Sequence, residues 1–254
     1  MRRYGRGVVR LAGSLGSLVA LAGSAAVAGC RARSEEPAPA AAAPPPGCTG
    51  EPLAATGDAT YYDATGAGSC SFEPSPGDRM VAAIAGPDYA HAAWCGACLA
   101  VAGPLGEVVV RVVDRCTGCK HGDLDLGRDA FARIAPLSAG RTKVTWHEVP
   151  CPVTGPVVYR LKRGSNPQWA AIQLGNHRHA IARLEVRDAG GAYRALPRTD
   201  DNYFLAATGL PPAPNALRVS DVRGQALEDP AIALGVGVAR SGGDQFPACP
   251  DQRP

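Results

Sequence analysis

Large aromatic side chains are scarce in this chain: Phe, Trp and Tyr together supply 6% of its 254 residues. Glycine (31) and proline (23) are abundant instead. That balance suits many short strands joined by turns better than it suits packed helices. Charge of one sign is also lacking. A formal net charge of +3, with no basic block beyond the N-terminus, is too weak a footprint for a nucleic-acid binder. After the first thirty residues no apolar run is long enough to span a bilayer. No internal repeat, Ser–His–Asp arrangement or phosphate-cradling glycine loop stands out, which removes solenoids, triad hydrolases and nucleotide enzymes from consideration. The five histidines are dispersed. His177 and His179 fit one side of a strand, but two ligands without a third do not make a metal site, and both read as surface or ligand-facing residues. No cofactor is expected.

What is present begins with a targeting pattern. Arg2, Arg3, Arg6 and Arg10 form a basic n-region, and residues 11–28 form an apolar, small-residue h-region. The segment closes on Val27-Ala28-Gly29-Cys30, which resembles the lipobox of bacterial lipoproteins. That resemblance implies a signal peptide over residues 1–29 and lipidation of Cys30, hence a membrane partner held through the N-terminal lipid. Arg31 stands where an inner-membrane retention signal carries Asp, so the outer membrane is the expected destination in a cell that has one. The alternative is an ordinary secretory signal with an incidental cysteine, and a secreted product. Residues 30–47, rich in Ala and Pro, read as a semi-extended tether.

Export places the other eight cysteines in an oxidising compartment, where an even count reads as four disulfides. Cys95 and Cys98, with Cys116 and Cys119, also have the spacing of a four-thiolate zinc site. With an export signal and four further cysteines, disulfides are expected and a metal is not. Connectivity among eight cysteines is not fixed by spacing.

Short apolar or alternating runs at residues 57–62, 80–84, 99–101, 108–113 and 143–149, separated by Gly and Pro turn signals, predict strands. Residues 128–134 form the one helical stretch, with Phe131 and Ile134 on one face. Pro150-Cys151-Pro152 and Gly155-Pro156 then break the pattern as a short linker. A second set of strands follows at 157–162, 169–174, 181–187, 192–196, 203–206 and 217–222. Many strands and one helix predict an all-β protein, with a compact barrel or sandwich over residues 48–151 and a small β-sandwich over residues 152–238. Periodicity is lost from Ala239, so residues 239–254 read as a Pro-rich C-terminal tail. A monomer is expected.

One stretch stands apart. Residues 108–113 read as a buried strand that ends on Asp114; a Cys116-Thr117-Gly118-Cys119 loop follows, then Asp125 bracketed by Leu124 and Leu126. Acids beside tight loops sit where a rigid scaffold meets solvent. The plain alternative is that such an Asp caps a turn.

In the first half, Gly57-Asp58-Ala59-Thr60-Tyr61, Trp94-Cys95-Gly96-Ala97-Cys98, Val113-Asp114-Arg115-Cys116 and Gly122-Asp123-Leu124-Asp125-Leu126 occur in order. In the second half come Tyr159-Arg160-Leu161-Lys162, Trp169-Ala170-Ala171-Ile172-Gln173, Asn176-His177 and Asp221-Val222-Arg223-Gly224. Together they resemble the bacterial expansins over residues 56–230. The resemblance implies a double-psi β-barrel followed by an immunoglobulin-like carbohydrate-binding domain. It implies a protein that loosens cell-wall polysaccharide (cellulose, xylan or peptidoglycan) without hydrolysing it. Thr60, Asp114 and Asp125 match the polar positions of the family's barrel groove, with Asp125 the acid on which loosening depends. Where the family usually has a groove tyrosine, this chain has Cys116, which the resemblance to cysteine-rich relatives bridges to Cys119. Plant members imply Cys70 with Cys95 and Cys98 with Cys151, leaving Cys48 for Cys249.

Two departures from the family pattern bear on function. The family's binding face stacks three aromatic rings on sugar; here Trp169 is kept, Gln168 precedes it, and Asp201 takes the third place. Tyr203, two residues on, shares that face if the strand register holds, and Lys162 matches a basic position beside the platform. Weak binding to crystalline cellulose, or preference for another wall polymer, is expected; the other role open to Trp169 is in the core. Secondly, glycoside hydrolysis generally needs two carboxyl groups. Endoglucanases with a related barrel have an acid matching Asp125 and a base near the place of Tyr61-Tyr62-Asp63. A glycoside hydrolase or peptidoglycan-cleaving enzyme, with Asp125 as acid and Asp63 as base, is therefore one alternative. An adhesive polysaccharide-binding lipoprotein is another. Non-hydrolytic loosening leads, with Asp125 partly desolvated between its leucines and able to donate a hydrogen bond when neutral.

Overall fold

The computed structural model describes residues 48–49 and 51–249. The expected signal peptide, lipidation site Cys30 and tether lie outside the described residues. The first half closes into a barrel of six strands: β1 (Ala54–Tyr62), β2 (Val81–Ala85), β3 (Cys98–Gly103), β4 (Gly106–Cys116), β5 (Leu124–Gly127) and β6 (Thr142–Val149), in the order β1-β5-β2-β4-β3-β6. β1 pairs in parallel with β5, and β2 with β4; the other neighbours are antiparallel. The helix α1 (Arg128–Ile134) packs against β4 and β1 with Ala130, Phe131 and Ile134 buried. Alternation sends Ala59, Val110, Val112, Leu124, Leu126, Val144 and Trp146 into one core.

β5, which carries Asp125, is absent from the strands expected from sequence. Four residues are too few for a period to register. Pairing with β1 on one side and β2 on the other supplies what the run itself lacks.

The second half is a sandwich of two four-stranded sheets. Its strands are β7 (Val158–Leu161), β8 (Ala170–Gly175), β9 (Ile181–Arg187), β10 (Tyr193–Leu196), β11 (Phe204–Ala206), β12 (Asn215–Asp221), β13 (Ala226–Ile232) and β14 (Ala239–Ser241). The sheets run β11-β8-β7-β14 and β10-β9-β12-β13, enclosing Tyr159, Ile172, Leu184, Phe204, Val219 and Phe246. β13 and β14 correct the sequence reading. β13 carries Glu228, Asp229 and Pro230, which mask a strand pattern but suit a sheet edge. β14 is three exposed residues paired to β7. The segment expected as a tail therefore belongs to the fold, and its Phe246 is fully buried in the sandwich core. Asp229, itself buried, ties this return in place: it accepts from the Tyr159 hydroxyl at 2.6 Å and from the Gly243 amide at 2.6 Å.

Four disulfides brace the chain: Cys48–Cys249, Cys70–Cys95, Cys98–Cys151 and Cys116–Cys119. They are the pairs that the resemblance implies, and they consume the thiolates that a zinc site would need. Four such bonds fit an oxidising, extracytoplasmic setting. The two halves meet over specific contacts. Gln173 donates to the carbonyls of Cys70 (3.0 Å) and Ser71 (2.9 Å), Asn202 to Cys70 O (3.1 Å), and the Tyr89 hydroxyl to Asp200 O (2.7 Å). Gly96, at φ +79°, leaves the space that the His177 ring fills, since a Cβ there would lie 2.5 Å from Nε2.

Candidate functional site

The barrel brings Thr60, Asp125 and Asp114 into one row. Strand register places Thr60 of β1 opposite Asp125 of β5, Asp125 opposite Ala83 of β2, and Ala83 opposite Asp114 of β4. Residues directly opposite one another share a face of the sheet. Thr60, Asp125 and Asp114 are all part-exposed, and the residue between the two acids is the small, buried Ala83. Thr60 donates its hydroxyl to Asp125 Oδ1 at 2.7 Å.

Asp114 reaches the row because β4 is irregular. Val110 and Val112 point into the core, so strict alternation would bury Asp114 as well. The register instead skips Val113 between Val112↔Ala82 and Asp114↔Ala83. The extra residue turns the strand, as β-bulges do near functional sites. Val113 packs with Ala64 and Val81, while Asp114 turns outward. Its Oδ1 then accepts from the Ser69 amide (2.7 Å) and the Arg115 amide (2.8 Å). Gly68 lies so close that a Cβ would sit 2.4 Å from Asp114 Cγ. Asp114 thus fixes the glycine-rich loop beside the row.

The stretch after the Cys116–Cys119 bridge is braced from both sides. Asp123 accepts from the Asp58 amide at 2.8 Å and from the Lys120 amide at 3.0 Å. Trp146 donates its indole N–H to Gly122 O at 2.7 Å, and the Gly122 amide reaches Asp88 at 2.8 Å. Gly57 allows β1 to approach this loop, since a Cβ would fall 2.3 Å from Gly122 O. Leu124 and Leu126 are fully buried on either side of Asp125. Burial pushes the Asp125 carboxyl above the usual Asp range; the Asp114 charge adds to this, while the Thr60 hydrogen bond and Arg141 oppose it.

One residue on this face of the barrel escaped the sequence reading. Tyr62 lies two residues after Thr60, on the same face of β1, and its hydroxyl is buried without a hydrogen-bond partner. Burial raises its pKa far above the ordinary tyrosine value, and the charges of Asp114 and Asp125 add to the rise. The alternation of β1 was the available signal. Asp63, by contrast, is exposed past the end of β1, lining a depression with Arg79, Arg128 and Asp129. The charges that act on Asp125 are those of Asp114 and Arg141.

On the sandwich, the sheet β11-β8-β7-β14 turns Tyr159, Leu161, Ala170, Ile172 and Phe204 inward. Alternation therefore puts Arg160, Lys162, Trp169 and Tyr203 on the outer face. Trp169 is part-exposed and outside the hydrophobic core; Asn166 Oδ1 holds the turn before it by accepting from the amides of Gln168 (2.9 Å) and Trp169 (3.0 Å). Lys162 stands 4.5 Å from the Tyr203 ring centroid and 2.5 Å from Asp201 Oδ2. Arg160 pairs with Glu73 of the barrel at 3.2 Å, so this face has a contact with the barrel at its edge.

His177 and His179 correct another expectation. Both are buried, at 3% and 2% exposure, rather than surface or ligand-facing. Burial pushes each imidazole down to about 4. They serve the junction between the halves, where His177 Nδ1 donates to His179 O at 2.8 Å.

Comparison with known proteins addresses identity. A family described as lytic transglycolase matches residues 54–146. Expansin-YoaJ of Bacillus subtilis (strain 168) is 33% identical over 166 residues, which cover 64% of this chain and 71% of that protein. The crystal structure of the apo expansin of Clavibacter michiganensis superposes with a TM-score of 0.71 at 34% identity, covering 77% of this chain and all (100%) of that one. A mutant of that expansin in complex with cellohexaose gives a TM-score of 0.72 at 33% identity and the same coverage, 77% and 100%. The likeness runs through both the barrel and the sandwich, and the chain belongs to the expansin family.

Proposed function

We propose that this protein binds cell-wall polysaccharide and loosens contacts between glycan chains without cutting them, through the groove centred on Asp125. The row Thr60–Asp125–Ala83–Asp114 carries the reading. Asp125 is a half-desolvated carboxyl held in place by the Thr60 hydroxyl. Neutral, it donates a hydrogen bond to a glycan oxygen; ionised, it accepts one from a glycan hydroxyl. Either exchange replaces a chain–chain hydrogen bond at small net cost, because hydrogen bonds traded between partners differ by only about 1 kcal/mol. Asp114 supports the groove wall through Ser69. Trp169, Lys162 and Tyr203 hold the chain on the sandwich. The cellohexaose complex of the Clavibacter relative supports a glycan oligomer as ligand class. Cys30 anchors the protein through lipid at the cell envelope, residues 30–47 space it from the membrane, and it acts as a monomer.

The test is creep of isolated wall material under load. Asp125→Asn abolishes creep while the unfolding midpoint is retained, and the wild type releases no soluble reducing sugar. Full creep by Asp125→Asn removes the groove mechanism. Reducing sugar that disappears in Asp63→Ala selects the hydrolase instead, and binding without creep, indifferent to Asp125, selects adhesion.

A further inference from the structure

By the resemblance read from the sequence, Asp201 takes the place of a third platform ring, and the surrounding turn holds its carboxylate. Its Oδ1 accepts from the Thr199 hydroxyl at 2.5 Å and its Oδ2 from Lys162 Nζ at 2.5 Å. Thr199 N–H closes the turn on Tyr203 O at 2.8 Å. Asn202, at φ +64°, bonds the turn to Cys70 O of the barrel. Despite these contacts the side chains of Lys162 and Asp201 remain 37% and 45% exposed. An ammonium carries three N–H donors, and each carboxylate oxygen has two acceptor sites. The pair therefore offers an immobilised donor beside an immobilised acceptor, on the same outer face as Trp169, with one face of the Tyr203 ring taken by the Lys162 charge.

A glycan chain presents two kinds of surface: the apolar faces of its rings and the hydroxyl edge between them. Rings in line match the faces. A fixed ammonium–carboxylate pair matches adjacent hydroxyls, one donating to Asp201 and its neighbour accepting from Lys162. The apolar face of crystalline cellulose has no group to return the hydrogen bonds of a desolvated ion pair, so docking there carries a penalty. We infer that the Lys162–Asp201 pair is a specificity device that reads the hydroxyl edge of single glycan chains, directing the sandwich to amorphous or soluble neutral polysaccharide and away from crystalline cellulose. This rests on the polysaccharide-binding reading above.

The experiment compares retention on microcrystalline cellulose with retention on acid-swollen cellulose, for wild type, Asp201→Ala and Asp201→Tyr, with thermal unfolding as the control for folding. Wild type favours the swollen polymer. Asp201→Ala weakens that binding about tenfold, the loss expected for hydrogen bonds to a charged group. Asp201→Tyr moves the ratio toward the microcrystalline form. If Asp201→Ala fails to fold, Asp201→Asn takes its place, since it keeps an acceptor for Thr199 while removing the charge. A ratio unchanged by the substitutions, or a wild type that already favours microcrystalline cellulose, overturns the inference and leaves polysaccharide binding standing. A wild type that binds neither cellulose form overturns the inference if xylan or peptidoglycan retains it, and refutes the underlying reading if those do not retain it either.

Discussion

Four buried titratable groups at the junction of barrel and sandwich set a pH response that can be worked out. Glu148, Asp221, His177 and His179 are 4%, 3%, 3% and 2% exposed. Burial pushes Glu148 from 4.5 up to about 7 and Asp221 from 3.8 up to about 6, in each case against the Arg223 charge. It pushes both histidines from 6.5 down to about 4. Between about pH 4.5 and 6 the folded chain holds a proton on each acid and none on either imidazole; the unfolded chain does the reverse. The raised acids favour folding on the acid side of the window, the lowered histidines on the basic side, and proton uptake by the two states matches. Wild-type stability is therefore nearly flat there. Glu148→Gln removes one proton from the folded side only, so stability falls by about 1.4 kcal/mol for each pH unit of acidification. Over the window that is about 2 kcal/mol, or about 4–8 °C in midpoint for a domain pair of this size. His179→Gln gives the opposite slope. Guanidinium unfolding with disulfides intact, at several pH values from 4.5 to 6, reads both. A Glu148→Gln profile as flat as that of wild type would refute the reasoning.

Tyr62→Phe removes a buried hydroxyl that has no partner; it raises stability by about 1 kcal/mol, or about 2–4 °C in midpoint, while weakening groove binding of a soluble oligosaccharide. A lower midpoint would show that the hydroxyl is satisfied in the free protein. Phe246→Ala empties a fully buried ring site in the sandwich and costs about 3–5 kcal/mol, read by chemical denaturation; a loss below about 1 kcal/mol would return the C-terminal segment to the status of a tail.

What the sequence made legible, and what it hid, divides along physical lines. Long alternating runs such as β4 and β6 announce themselves because burial on one face repeats every second residue. β5, β13 and β14 do not. The first is too short, the second carries an edge proline and acids, and the third is fully exposed. The acids of the groove stood out by their motifs, but the row they form depends on parallel pairing between strands far apart in the chain, and on a bulge at Val113 that no periodicity shows. Tyr62 was overlooked for a related reason. Its neighbour Asp63 has the more reactive side chain, yet Tyr62 shares the face of Thr60. The histidines misled because two imidazoles two residues apart look alike in sequence whether they lie on a strand facing solvent or, as here, in the loop between β8 and β9 at a domain junction.

The distribution of small residues constrains the two halves differently, which matters if the proposed function holds on both. Ala83 and Gly68 let two acids and a loop converge, and Gly57 lets β1 close on the segment that carries Asp125. A side chain at Gly68 or Gly57 would collide with its neighbours, and a bulkier one at Ala83 would lie between the acids, so the groove tolerates little variation. The sandwich platform is bound by no such constraint. Lys162, Asp201 and Tyr203 sit on an outer face, while the turn that carries Asp201 is held mainly through Thr199 and Asn202. Exchanging Asp201 leaves the anchor to the barrel and the inward-facing core in place. Selection for a new polymer therefore has a route through the sandwich face that leaves the Asp125 row undisturbed. An Asp201 variant that changed polymer preference but kept the creep rate per bound molecule would separate the two functions experimentally.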